Sequence, residues 1–122
     1  MHELSIVVNI VEIVEEEVLK AEAESVSAIE LDIGKLSTIE PAAFEFAWKH
    51  GIRDSVLESA ELKINYIQGI GRCSDCNTLF KMNALYDSCP ECGCYFSEIV
   101  EGKEMNIKTI RIEEKLKPEK ES

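Results

Sequence analysis

Apolar residues recur at Leu4, Val7, Val8, Val11, Val14 and Val18, a helical spacing that predicts a helix from just after Glu3 to about Ala23. Val and Ile are poor helix formers, so a strand competes there. The length and the acidic run Glu15-Glu16-Glu17 favour a helix with one solvated face. Ile29, Leu31 and Ile33 then alternate with Glu30 and Asp32, which predicts a half-buried strand ending at Gly34. Pro41 opens a second helix through Phe44, Ala47 and Trp48, closed by Gly51. Leu62, Ile64 and Tyr66 mark a second strand, and Gly69 and Gly71 have the composition of a hinge. After Gly102, Met105 to Ile112 is strand-like, but its apolar phase shifts between Ile107 and Ile110, which predicts a bulge or a two-sided environment. Lys115 to Ser122 is a polar tail.

The segment between the hinge and the last strand carries the clearest chemistry. Cys73-x-x-Cys76 and Cys89-x-x-Cys92 are the pattern of a closed tetrahedral thiolate site, because two intervening residues let both sulfurs of a tight turn face one ion. Pro90 fixes the backbone of the second turn and Gly93 permits the left-handed residue that closes it. Asn77 stands at the matching position of the first turn, and Asn tolerates that conformation. Structural zinc is the leading expectation. Iron in a rubredoxin-like site is the rival, and two disulfides or unligated thiols are the plain alternative. With four cysteine ligands no open position remains for catalysis, so the ion acts as a folding element for a lobe too small to build its own core. Cys94 is left over, either as an ordinary thiol or as a substitute for Cys92.

These parts assemble into an α+β fold: a small mixed sheet of about three strands with two helices, plus an inserted zinc-ribbon-like lobe. The expected division is residues 1–69 and 103–115 for the α+β domain, 70–102 for the lobe and 116–122 for the tail.

Composition narrows the function. The chain has 122 residues, 45% of them hydrophobic, and a formal net charge of −11. Such a surface repels phosphate backbones, which counts against nucleic acid, and suits metal cations or a basic protein partner. No apolar stretch reaches membrane-span length, and Met-His-Glu lacks the basic region and cleavage site of a signal peptide. A cytoplasmic protein is expected, and in a reducing compartment clustered cysteines read as metal ligands. No serine or cysteine is paired with a histidine in a recognisable catalytic motif, so an enzyme is not expected. His50, near the end of the second helix, is placed to meet the helix's negative end.

His2 follows directly on Met1 and precedes Glu3. A frayed, exposed histidine is the bland reading. The chemical reading is specific: the Met1 α-amine, the His2 backbone nitrogen and the His2 ring nitrogen close a five- and a six-membered chelate ring in one plane. That geometry suits nickel(II) or copper(II), with a fourth donor from Glu3, a water or another carboxylate. The bulk of His2 should preserve the initiator methionine.

Met1-His2-Glu3-Leu4-Ser5, then Ile33-Gly34-x-x-Ser37 with Phe44 and Phe46-Ala47, the two cysteine pairs and Gly102-x-Glu104 together resemble the HypA/HybF family of [NiFe]-hydrogenase maturation. The resemblance spans nearly the whole chain. It implies a nickel site at Met1, His2 and Glu3, with Glu40 as a weaker candidate that could equally cap the second helix. It further implies structural zinc on Cys73, Cys76, Cys89 and Cys92. Nickel would pass to the hydrogenase large subunit in company with the GTPase HypB, and in some organisms to the urease system. A zinc-ribbon adaptor and a rubredoxin-like redox module remain the readings from other classes.

Overall fold

A computed structural model gives the fold of residues 2–114, with backbone alone at His2 and Glu114. Met1 and the tail from Lys115 onward, both named above, lie outside the described residues. Helices α1 (His2–Lys20) and α2 (Pro41–Gly51) accompany strands β1 (Ala23–Gly34), β2 (Glu61–Ile67), β3 (Gly69–Cys73), β4 (Leu79–Met82), β5 (Ser97–Glu101) and β6 (Met105–Glu114). The strands form two three-stranded sheets, in the orders β2-β1-β6 and β4-β3-β5. The chain divides into two compact units, the described parts of Met1–Glu30, Ile39–Lys63 and Ile107–Ser122 in the first, Leu31–Thr38 and Ile64–Asn106 in the second.

In the first unit α1 buries Val7, Ile10, Val14 and Val18, the stripe a 3.6-residue period lines up. Leu4 and Val8 lie outside that stripe and are exposed, so the apolar face is narrower than the sequence pattern predicts. The helix also begins earlier, at His2, because its polar first turn carries no hydrophobic signal. It ends at Lys20, where Ala21 and Glu22 fold back onto Glu17 and Leu19 and Glu22 takes a left-handed φ of 53°. Helix α2 matches its expected bounds. The Glu40 side chain caps it by accepting from the Ala43 N–H at 2.8 Å, and Pro41 supplies the preset first turn. Its buried face is Phe44, Ala47 and Trp48. Gly51 lets its last turn approach α1, since a Cβ there would meet Val7 Cγ1 at 2.5 Å.

The burial phase of β6 slips between Ile107 and Ile110, where the sequence pattern places it, and β1 slips likewise between Val26 and Ile29. Each slip re-aims the strand's inward side chains.

In the second unit Gly69 and Gly71 are not a hinge but the first half of β3. They are small because side chains lie on them: a Cβ on Gly69 would meet Leu36 Cγ and Cδ1 at 2.5 Å, and one on Gly71 would overlap Met82 Sδ. Strand β3 pairs antiparallel with β4 (Gly71 opposite Phe80) and with β5 (Gly71 opposite Ile99). Leu36, Cys73, Phe80, Met82 and Cys89 form the core of this unit, with Cys94 and Ile99 packed against it. A core this small needs a further staple.

Candidate metal centres

The two cysteine turns are built alike. In the first, the Asp75 N–H donates to Cys73 Sγ at 3.4 Å and the Asn77 N–H to the Cys73 carbonyl at 3.0 Å. In the second, the Glu91 N–H donates to Cys89 Sγ at 3.4 Å and the Gly93 N–H to the Cys89 carbonyl at 2.8 Å. Asn77 and Gly93 both adopt left-handed backbone, with φ of 61° and 81°, as the sequence requires of residues closing such turns. Each leading cysteine also donates its N–H five residues ahead, Cys73 to Thr78 and Cys89 to Cys94.

These turns gather all four sulfurs within 4.8 Å of one another. Cys73 and Cys92 sulfurs are 3.5 Å apart, and those of Cys76 and Cys89 are 3.6 Å apart. Sulfurs bound at about 2.3 Å to one tetrahedral ion would be separated by about 3.8 Å, so the donor set fits a thiolate-bound metal. None of the cysteines is in a disulfide. Cys73 and Cys89 are buried in the unit's core, whereas Cys76 and Cys92 face outward.

The electrostatics also suit a cation. The Thr78 hydroxyl, then its N–H, bring the Cys76 thiol down to about 6. The Cys76 N–H contributes most to lowering Cys73. At Cys92 the Cys94 N–H favours the thiolate, but the neighbouring thiols, Cys73 first, together with burial push the group up to about 12. Four sulfurs this close therefore resist ionising together, a repulsion that a divalent ion would offset. Cys94 keeps a separate place: its sulfur accepts the Phe96 N–H at 3.3 Å and it packs on the unit's core.

At the other candidate site, Met1 and the His2 side chain lie outside the described structure, so its geometry rests on Glu3 and Glu40. Glu3 sits in the first turn of α1, where the helix dipole favours a negative charge. It is almost buried, and its Oε2 accepts the Glu40 N–H at 3.2 Å, fixing the start of α1 against the start of α2. Hydrogen bonding with the α-amino group, then with the Glu40 N–H, lowers its carboxyl from 4.5 to about 2. Because folding lowers this pKa, the carboxylate stabilises the fold from pH 4.5 up to the range where the α-amino group gives up its own proton, about 8, and that contribution fades as pH falls from 4.5 toward 2. Urea titration of Glu3→Gln against the wild-type chain should show a stability difference constant from neutral pH to 4.5 and shrinking below it. A difference that changes around neutrality would contradict this assignment. The backbone contact between Glu3 and Glu40, like the role of Leu36 in the cysteine core, carries no sequence signal. His50 lies in the last turn of α2 beside Phe46, their ring centroids 4.4 Å apart.

Among the described residues no helix is long and apolar enough to cross a membrane. Residues 1–112 match the family model described as HypA, hydrogenase/urease nickel incorporation, metallochaperone. The hydrogenase maturation factor HypA of Parabacteroides distasonis is 49% identical over 112 residues, covering 92% of this chain and 97% of the relative. That of Geotalea uraniireducens is 39% identical over 93% of this chain and its own full length. The solution structure of the Ni metallochaperone HypA from Helicobacter pylori superposes with a TM-score of 0.67 at 29% identity, covering 94% of this chain and 100% of that one. With the match running from residue 1 through both cysteine turns, the chain belongs to the HypA family of hydrogenase-maturation nickel metallochaperones.

Proposed function

We propose that the chain binds Ni(II) through the Met1 amine, the His2 backbone and ring nitrogens and Glu3, and hands it to a [NiFe]-hydrogenase large subunit during maturation. Zn(II) on Cys73, Cys76, Cys89 and Cys92 holds the 70–102 lobe in shape, while residues 1–69 and 103–115 carry the cargo. The observation that carries this reading is a Met-His-Glu start within a chain matched from residue 1 to a nickel metallochaperone family. The fold supports it in two ways. Backbone N–H groups in the first turn of α1, where His2 lies, have no acceptor within the helix, so the His2 nitrogen is not needed for helical hydrogen bonding. Glu3, held ionised by its surroundings, keeps a negative charge beside the incoming cation.

Amine and imidazole must shed protons to bind, so nickel affinity falls as pH drops through the histidine range, while Glu3 stays charged throughout. A neighbour that pulls on the terminus, such as the GTPase HypB or an acceptor of the hydrogenase or urease systems, would then complete release. Glu40 is a weaker ligand, since one of its oxygens already caps α2. The reading is tested in cells lacking their own family member: the wild-type chain should restore hydrogenase activity and His2→Ala should not. Restoration by both, or by neither, would overturn it.

A further inference from the structure

Exposed apolar side chains are ordinary when scattered, but a cluster of large ones around a groove marks an interaction site. The second unit carries such a cluster. An open groove of about 490 Å³ is walled by Leu85 and Tyr86 on the approach to Cys89 and by Tyr95 and Phe96 just beyond Cys92, with Ile99 and Lys103 along its side. Tyr86 is 79% exposed, Tyr95 64% and Phe96 77%, so these rings contribute little to the unit's own core.

The walls are built features. Asp87 accepts the Asn83 and Ala84 N–H groups at 2.7 and 3.1 Å, shaping the loop that presents Leu85 and Tyr86. The Ser74 N–H, inside the first cysteine turn, donates to the Phe96 carbonyl at 3.0 Å. The Phe96 wall is thus tied to the first cysteine turn, and the Leu85–Tyr86 wall leads directly into the second. Ser97 also lines the groove, and its enclosed hydroxyl oxygen has no hydrogen-bond partner among the described residues. A buried hydroxyl of that kind is satisfied when a polar group closes over it.

Charge selects the occupant. From Arg72 to Lys103 the chain carries Asp75, Asp87, Glu91, Glu98 and Glu101 against Arg72, which pairs with Glu98 at 3.9 Å, Lys81 and Lys103, an acidic excess. Four thiolates on one divalent ion add further negative charge. A second copy of this chain, a nucleic acid or an anionic bilayer would meet like charge there.

We propose that this groove docks a protein segment in which apolar side chains alternate with lysine or arginine, and that the metal-held turns keep it open. Aromatic anchors in the groove give the affinity, and the acidic surround gives attraction and orientation. The proposal goes beyond nickel carriage and does not depend on it.

The test titrates the zinc-loaded full chain with a fluorescent peptide alternating leucine and lysine, and with an oligolysine of equal charge. A Tyr86→Ser/Phe96→Ser double variant is compared in parallel. The leucine–lysine peptide should bind at least about tenfold more tightly than oligolysine, and the double variant should lose about that factor. Its zinc content and nickel titration should match the wild-type chain, which shows that the fold and the other sites are intact. Equal binding of the two peptides, or no loss in the double variant, overturns the proposal. So does concentration-dependent self-association, or binding of single-stranded RNA or anionic vesicles, that the double variant abolishes.

Discussion

Replacing His2 with alanine, or adding one residue ahead of Met1, is expected to abolish tight nickel binding while leaving the fold and the zinc content unchanged. The two changes act on different atoms. The alanine removes the ring nitrogen and opens the six-membered chelate, whereas the added residue turns the α-amine into an amide and opens the five-membered one. Neither removes an apolar core residue, because the buried apolar stripe of α1 begins at Val7. Losing a group that merely orients a ligand typically costs about 10–100-fold in metal affinity, so losing a ligand within a chelate should cost at least about a hundredfold. Isothermal titration of the three proteins with nickel reads this directly. Equal affinities would place the cargo site elsewhere.

Replacing Cys89 with serine, or stripping the metal with a chelator, is expected to unfold the second unit. Cys89 is buried beside Cys73, Phe80 and Met82, and its carbonyl and N–H both belong to the second turn. The apolar core at that place is a handful of side chains, too few to hold three short strands. Thiolate sites in small zinc folds contribute about 10–16 kcal/mol of apparent binding energy, which is folding energy for the lobe. Near-ultraviolet circular dichroism and amide resonance dispersion of residues 69–101 should collapse, and the groove described above should disappear with them. A Cys89→Ser chain that keeps one zinc and a dispersed spectrum would contradict the role given to the metal.

The cysteine motif stands in the sequence because its chemistry is local. A pair of ligands with two residues between them, closed by Asn77 or Gly93, dictates its turn without help from the rest of the chain. Helix α2 is similarly legible, since Pro41 at its start and the spacing of Phe44, Ala47 and Trp48 are also local signals. The strands of the second unit are not, because their pattern is set by tertiary neighbours. Gly69 and Gly71 look like flexible linker residues until Leu36 and Met82 are seen resting on them. Leu36 itself, which shares its short loop with the equally apolar Ile39, gives no sign that it joins the core of Cys73. Along α1 the valine-rich run exceeds one helical stripe, so periodicity alone does not reveal that Ile10 turns inward while Leu4 and Val8 turn out. The start of α1 is hidden for the opposite reason: its first turn is polar, and polar because Glu3 binds the backbone at the head of α2.

Two metals in two different ligand environments are the core of this account, and X-ray absorption at both edges tests it most directly. With one equivalent each of zinc and nickel bound, the zinc edge should report four sulfurs at about 2.3 Å. The nickel edge should report nitrogen and oxygen donors only, in a planar arrangement. Sulfur in the nickel shell, or nitrogen and oxygen replacing sulfur around zinc, would contradict the assignment of the cysteines to structure and of the amino terminus to cargo.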